Sequence, residues 1–412
     1  MKTILTITSF IFLPLVIAFS QGNIPKCSSN IFLEEELLKD PLLNSRIQKI
    51  EQEITHSLAI EALSPRTKDS IVIPVVVHIL YNNFAENLTS NQIQSQIDAL
   101  NRDFNKQNTD VIYTPSVYKG LVADCNIHFA LANRDIDGNE VDGIVRLYTA
   151  NKSWNNFDDI KTPLKGGSAA WNASQYLNIW VGNLGGKAIG VSSFPGMKKE
   201  FDGIVVDYTA FGTTGNLSSK FNDGRTCVHE VGHWLNLYHV SGDMPCGNDF
   251  VADTPPQKTE HYSKPTFPQY STCNGIATID MTMNYMTYVD DDHMYMFTNG
   301  QKKRMWALFD KGGFRESLKY SAGWMITDQQ TTSKNAYKVA ISPNPVSNEL
   351  TINLTNSDPI VIQIIDLTGK IWYQNETCIP LVRINTHNLA TGIYYLKVFK
   401  DKSVLNKTFI KV

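Results

Sequence analysis

The 412-residue sequence predicts an α/β unit built on a twisted sheet, followed by a small, separate β-sandwich. Three observations carry that expectation. Ser70 to Tyr81 (SIVIPVVVHILY) is a β-branched apolar run with the composition of a strand buried on both faces. It leads into a helical pattern and then several strand patterns before a long helix at about Asn222, the alternation of an α/β sheet. From about Ser333 the chain changes to short strands separated by turn signals such as Pro343-Asn344-Pro345 and Thr368-Gly369.

Taken in order, Met1 to Ser20 reads as a secretory signal: Lys2, an apolar run from Ile4 to Phe19, and the small-residue ending Ala18-Phe19-Ser20. No other stretch is long enough to span a membrane. Residues 21–65 read as a charged, helix-like prosegment with loosely spaced Leu37, Leu38, Ile47, Ile50 and Ile54. In the main unit, expected at 66–325, Thr89 and Gln92 have capping-box spacing ahead of a helix that puts Ile93, Ile97, Leu100 and Phe104 on one face. Cys125 to Ala132, Tyr176 to Leu184 and Gly203 to Phe211 read as strands, and Ala188 to Pro195 as a Gly-containing sheet edge. Ser241 to Asp292 is loop-rich, and Thr298 with Gln301 caps one more helix. The sandwich is expected at 333–412.

A formal net charge of -3, with Lys and Arg spread along the chain, offers no electrostatic case for nucleic acid or an anionic membrane. Six cysteines are too few to scaffold a chain of this length, so an apolar core must carry the fold.

The chemistry concentrates in His229-Glu230-Val231-Gly232-His233. Two histidines four apart project from one helical face and can bind a single zinc ion, while Glu230 can take a proton from a water on the metal. His239 lies six residues beyond His233, on the wrong side of a continuing helix, so the helix must stop near Asn236 for His239 to become the third ligand. Asn tolerates the left-handed conformation such an ending needs. Three neutral imidazoles leave a coordination position open, the arrangement of a hydrolytic rather than a structural site. His78, His128 and His387 have no partner at ligand spacing and read as ordinary core or surface residues.

With HEVGHWLNLYH followed by MTMNYMTYVDDDHMYMFTNGQKKRMW, the chain resembles the pappalysin family of metzincin peptidases, in its cytophagalysin branch, over approximately Cys27 to Gly323. The resemblance implies a metzincin-type zinc peptidase fold with a long active-site helix. It implies that Met286 floors the histidines and that Tyr288 approaches the zinc and stabilises the oxyanion, a role suited to a phenol O–H. Asn236 departs from the family's usual Gly. Asp249 and Thr254 match a calcium-binding loop, whose oxygen groups suit a hard cation. Cys246 and Cys273 match a family disulfide, and Asp292 aligns with an aspartate that selects arginine just after the cleaved bond, which predicts cleavage ahead of Arg or Lys. That preference implies self-processing ahead of Arg66. Cys27 resembles the cysteine with which related zymogens occupy the zinc. The last 75 or so residues, with Ser342-Pro343-Asn344-Pro345 and the ending Lys407 to Val412, resemble the sorting domain of the type IX secretion system, implying that machinery as a partner.

The expected protein is thus an extracellular zinc endopeptidase made as a proenzyme, laying polypeptide substrates along Ala188 to Pro195 as an added strand. Two rival readings are a surface-displayed binding protein with structural zinc and a metal-dependent amidase acting on a small substrate.

Overall fold

The computed structural model describes residues 26–63, 70–324, 339–354, 360–366, 370–400 and 403–412. The secretory signal, the processing position at Arg66 and the Thr368-Gly369 turn lie outside these residues.

Two helices open the described chain, α1 (Ser29–Lys39) and α2 (Leu43–Leu63). Of the 21 residues of α2 only Leu43, Ile50, Ile54 and Ser57 are buried, so it lies on a preformed surface rather than inside one. The central sheet contains β1 (Ile71–Tyr81), β2 (Ile127–Leu131), β3 (Ile144–Tyr148), β4 (Leu177–Gly182), β5 (Gly190–Ser192) and β6 (Ile204–Asp207). Its order is β2-β1-β4-β6-β5, and β3 takes the place beside β1 that β2 vacates: Ile71 pairs with Ile127, Val77 with Ile144. All pairings are parallel except that of β5 with β6. β3 was not among the expected strands, since its five half-buried or exposed residues show neither an apolar run nor clean alternation. The third expected strand is shorter than its apolar pattern, because the Asp207 side chain accepts from Thr209 N and starts a 3-10 turn.

Alternation along β4 and β6 divides the core. Ile179, Val181, Ile204 and Val206 face helix α3 (Ser90–Phe104), whose Ile93, Ile97, Leu100 and Phe104 are at most 2% exposed. Trp180 and Val205 face the opposite side, where they meet Trp154, Ile160 and Leu184. Beside α3 runs α4 (Arg225–Trp234), ten residues rather than the expected long helix. A loop region with four short strands follows: β7 (Tyr262–Ser263), β8 (Tyr270–Cys273), β9 (Ile276–Ile279) and β10 (Tyr288–Val289). The Cys246–Cys273 disulfide ties it together. Helix α5 (Asn299–Ala307) begins with the expected Thr298/Gln301 capping box.

The C-terminal unit pairs a three-stranded sheet with a four-stranded one around an apolar core that includes Leu350, Ile362, Leu396 and Phe409. The first sheet holds β11 (Val339–Ser342), β12 (Glu349–Leu354) and β15 (Leu381–Asn385). The second holds β13 (Ile360–Asp366), β14 (Ile371–Thr377), β16 (Gly392–Lys400) and β17 (Ser403–Lys411). This is the expected sandwich, with β15 as a strand the sequence reading missed. Among the described residues no helix is long and apolar enough to cross a membrane.

Candidate active site

Helix α4 presents His229 and His233 on one face and then stops. Asn236 takes φ +66°, and Leu237 N bonds Gly232 O at 2.9 Å, so the chain reverses where the spacing required. The reversal brings in His239. The three Nε2 atoms lie 3.1–3.2 Å apart, and all three side chains are fully buried. Each Nδ1 donates elsewhere: His229 to Tyr285 O (2.7 Å), His233 to Leu237 O (2.8 Å) and His239 to Asp243 Oδ1 (2.5 Å). These bonds set the tautomers and turn three Nε2 lone pairs to one point. Burial pushes His233 down to about 3 and His229 well below the usual range, so both rings are neutral. Converging lone pairs repel unless a cation lies between them. The donor set therefore fits a metal ion, and Cys27 offers a fourth ligand atom within 4.8 Å of the others. Asp243, i+4 from His239, was missed in the sequence, although that offset from a ligand was the available signal.

Glu230 stands beside this group with Oε1 unpartnered among the described residues. Burial raises its carboxyl to about 7, against the lowering bonds from Ser29 and Cys27. A Cβ on Gly190 would lie 2.5 Å from Glu230 Oε1, so only glycine lets edge strand β5 approach this closely. Met286 lies beneath the helix: a Cβ on Gly232 would meet its Sδ at 2.4 Å. The Met286 turn is held by Asn284, which exchanges two side-chain bonds with Gln301 of the α5 capping box. Tyr288 OH is 3.4 Å from His239 Nδ1, and its ring stacks on Tyr262 with centroids 5.4 Å apart.

The N-terminal segment crosses this site. Gly190 N donates to Lys26 O and Ser28 N to Gly190 O, laying the segment parallel to β5. Cys27 Sγ lies 3.5 Å from His233 Nε2, and Ser29 Oγ donates to Glu230 Oε2 at 2.7 Å while accepting from Ser192 N. Burial and the neighbouring Glu230 push the Cys27 thiol well above its ordinary value, so without a metal it stays protonated. Lys26 enters an adjoining pocket, its Nζ 2.7 Å from Val289 O and 3.4 Å from Asp291 Oδ1.

Asp292 is not in that pocket. Its side chain is 51% exposed and pairs with Lys264 and His293. Asp291, fully buried, turns inward because its Oδ2 accepts from Asp223 N and Arg225 N at the start of α4. The carboxylate that meets Lys26 is therefore Asp291, one position before the residue expected to face a cation here. Asp249 and Thr254 bond one another at 2.7 Å, and Asp249 belongs to no cluster of three ionisable metal-binding side chains among the described residues. Cys125 and Cys227 are free and buried.

Residues 166–310 match the family described as pregnancy-associated plasma protein-A, and residues 340–412 match the secretion system C-terminal sorting domain. An extracellular metalloprotease of Arthroderma otae is 31% identical over 271 residues, covering 62% of this chain and 87% of that protein. One from Trichophyton verrucosum is 30% identical, covering 63% and 86%. Among solved structures, Tannerella forsythia mature mirolysin in complex with a cleaved peptide has TM-score 0.59 and 43% identity, covering 61% of this chain and 96% of that one. A variant of Tannerella forsythia promirolysin has TM-score 0.66 and 40% identity, covering 72% and 97%. With the histidine cluster and the sorting tail, these relationships make the chain a secreted or cell-surface metalloendopeptidase that belongs to the pappalysin family.

Proposed function

We propose that this endopeptidase is zinc-dependent, is made as a self-inhibited proenzyme, and cleaves polypeptides ahead of lysine or arginine. The observation that carries the reading is Lys26 beside Cys27: a cation rests over Asp291 in a buried pocket while the next residue reaches the histidines. Nitrogen–nitrogen separations of 3.1–3.2 Å are close to the ~3.3 Å edge of a tetrahedron with Zn–N bonds of ~2.0–2.1 Å.

Bound there, zinc would supply a Lewis acid and lower the pKa of a water in its open position. The chain's own residues supply the rest. The substrate backbone pairs with β5 once the prosegment leaves. Glu230 accepts the proton of the attacking water and passes it to the leaving amine. Tyr288 offers its phenol O–H to the oxygen where negative charge develops. Asp291 accepts the lysine or arginine that follows the scissile bond; Arg suits it through its bidentate fork, Lys as a point charge. Processing ahead of Arg66 would follow from the same preference. In the prosegment Lys26, Cys27 and Ser29 hold the specificity pocket, the metal position and Glu230 in turn.

Calcium on Asp249 and Thr254 is a separate part of the proposal. Burial raises the Asp249 carboxyl to about 6, and a cation would relieve that cost.

The test is to incubate the purified full chain with a proteome-derived peptide library, with and without chelator, and to sequence the new termini. New termini beginning with Lys or Arg, absent under chelation and restored by zinc, are expected. Apolar termini would refute the specificity. Full recovery with zinc alone, without calcium, would refute the calcium site.

A further inference from the structure

Beyond the pocket that holds Lys26, the prosegment fills a second site. Phe32 of α1 is only 4% exposed and belongs to the cluster containing Val191, Phe194 and Met197. Its ring meets Phe157 edge-on at 6.2 Å. Lys161 Nζ stands 5.3 Å from the Phe32 centroid and 5.3 Å from that of Trp180, with Phe201 O as its hydrogen-bond partner. A buried ammonium fixed in this way presents a cation to the face of whatever ring enters. The groups named here lie outside the prosegment and remain when α1 departs, whereas Leu43 of α2, which shares the cluster, leaves with it.

The order along β5 says which part of a substrate would reach it. Lys26 marks the position after the scissile bond, and Cys27 marks the metal. Ser28 and Ser29 then pass Gly190 and Ser192, and α1 carries Phe32 to the face of β5 that bears Val191. A substrate with its own lysine over Asp291 and its scissile carbonyl at the histidines must extend its amino-terminal side toward Ser192 and the Phe32 site. It runs antiparallel to β5.

We propose that in the mature enzyme the Phe32 site, marked by Phe157 and Lys161 within the apolar cluster that holds Val191, Phe194 and Met197, binds an aromatic side chain of the substrate on the amino-terminal side of the cleaved bond. The inference rests on the reading of the Asp291 pocket given above. The substrate class becomes a polypeptide with an aromatic residue ahead of, and a basic residue immediately after, the scissile bond. Protein segments carrying both features are cleaved first.

The experiment uses enzyme activated from the full chain and peptides with lysine fixed after the cleaved bond. Phe, cyclohexylalanine or Ala is placed at each position ahead of it in turn. At one position Phe should raise kcat/KM about tenfold or more over Ala, chiefly through KM, as burial of a large apolar side chain does. Cyclohexylalanine, matching the ring in bulk but lacking its π face, should fall between the two. In Lys161→Met the gap between Phe and cyclohexylalanine should close, and in Lys161→Arg it should persist. Equal cleavage of the Phe and Ala peptides at every position overturns the subsite and leaves the protease reading intact. Equal cleavage of the Phe and cyclohexylalanine peptides by the unmodified enzyme overturns the aromatic assignment. If no lysine peptide is cleaved, nor any with arginine in its place, the reading of the Asp291 pocket falls and this inference falls with it.

Discussion

Asn236 and Glu51, 185 residues apart in sequence, meet where the active-site helix ends: the Asn236 amide donates to the Glu51 carboxylate at 2.9 Å. Arg304 joins them, bonding Glu51 at 2.5 Å and Asn236 O at 2.8 Å. The residue that closes α4 is therefore also a docking point for α2, which glycine could not be.

Replacing Asn236 with Gly should leave metal content unchanged, because glycine adopts the positive φ without cost. It should also speed maturation roughly fivefold, the worth of about 1 kcal/mol, as a bond to a partly exposed carboxylate is lost. Metal analysis and the time course of prosegment release check both. Loss of metal would contradict the role of Asn236 in the turn.

Gly190→Ala should displace the Glu230 carboxylate, whose Oε1 lies 2.5 Å from the position a Cβ would take. The carboxylate can yield because it ends a side chain, so the protein should fold and keep its metal. A base misplaced by about 1 Å costs on the order of a hundredfold in kcat. Steady-state kinetics on the activated variant would show it, and an unchanged kcat would deny the contact any role.

Asp291 and Asp292 separate cleanly by mutation. Asp292→Asn should alter cleavage preference little, because its side chain is half exposed and faces Lys264. Asp291→Asn should abolish most of the preference for Lys over Leu after the cleaved bond, and it should also loosen Lys26 of the prosegment. Paired peptides differing only at that residue provide the measurement.

His78 should make the fold acid-sensitive. Burial lowers it to about 4, and it sits between Ser168 Oγ and Asn178 Oδ1 while stacked on Trp180. Its folded value lies below the unfolded one, so the unfolded chain binds the extra proton first. Stability is then lost as pH falls from about 6.5 to about 4, by about 3 kcal/mol in all. Denaturant titrations of the wild type and His78→Gln across that window should show the variant's dependence to be shallower by that amount.

Arg315 should be the costliest of these residues to remove. Its guanidinium bonds both oxygens of Asp202 (2.9 and 3.1 Å), donates to Trp234 O and lies 3.5 Å over the Trp234 ring. Arg315→Met leaves Asp202 buried with one fewer charge partner, which should cost about 3–5 kcal/mol. Thermal unfolding reports the loss, and a change under 1 kcal/mol would contradict the burial argument.

What was readable in advance depended on range. His229, Glu230 and His233 share a helical face through a four-residue offset, and His239 requires only that the helix stop, so local geometry sufficed. Thr298 and Gln301 announced their capping box for the same reason. Met286 and Tyr288 were legible only by resemblance, since nothing local aims them at histidines some fifty residues earlier. β3 escaped because its neighbours on β1, not its own pattern, make it a strand.

The run Asp290-Asp291-Asp292 shows the boundary most sharply. By itself the sequence determined that three histidines converge and that a sandwich follows, because spacing and periodicity are properties of a short stretch of chain; an acidic group at the cleft was implied only by resemblance, and at Asp292. Which aspartate turns inward was decided by the backbone amides of Asp223 and Arg225, and what covers the site by Lys26, Cys27, Ser29 and Phe32. Those choices belong to the tertiary structure, since an interaction between distant segments has no period to read until the fold brings its two sides together.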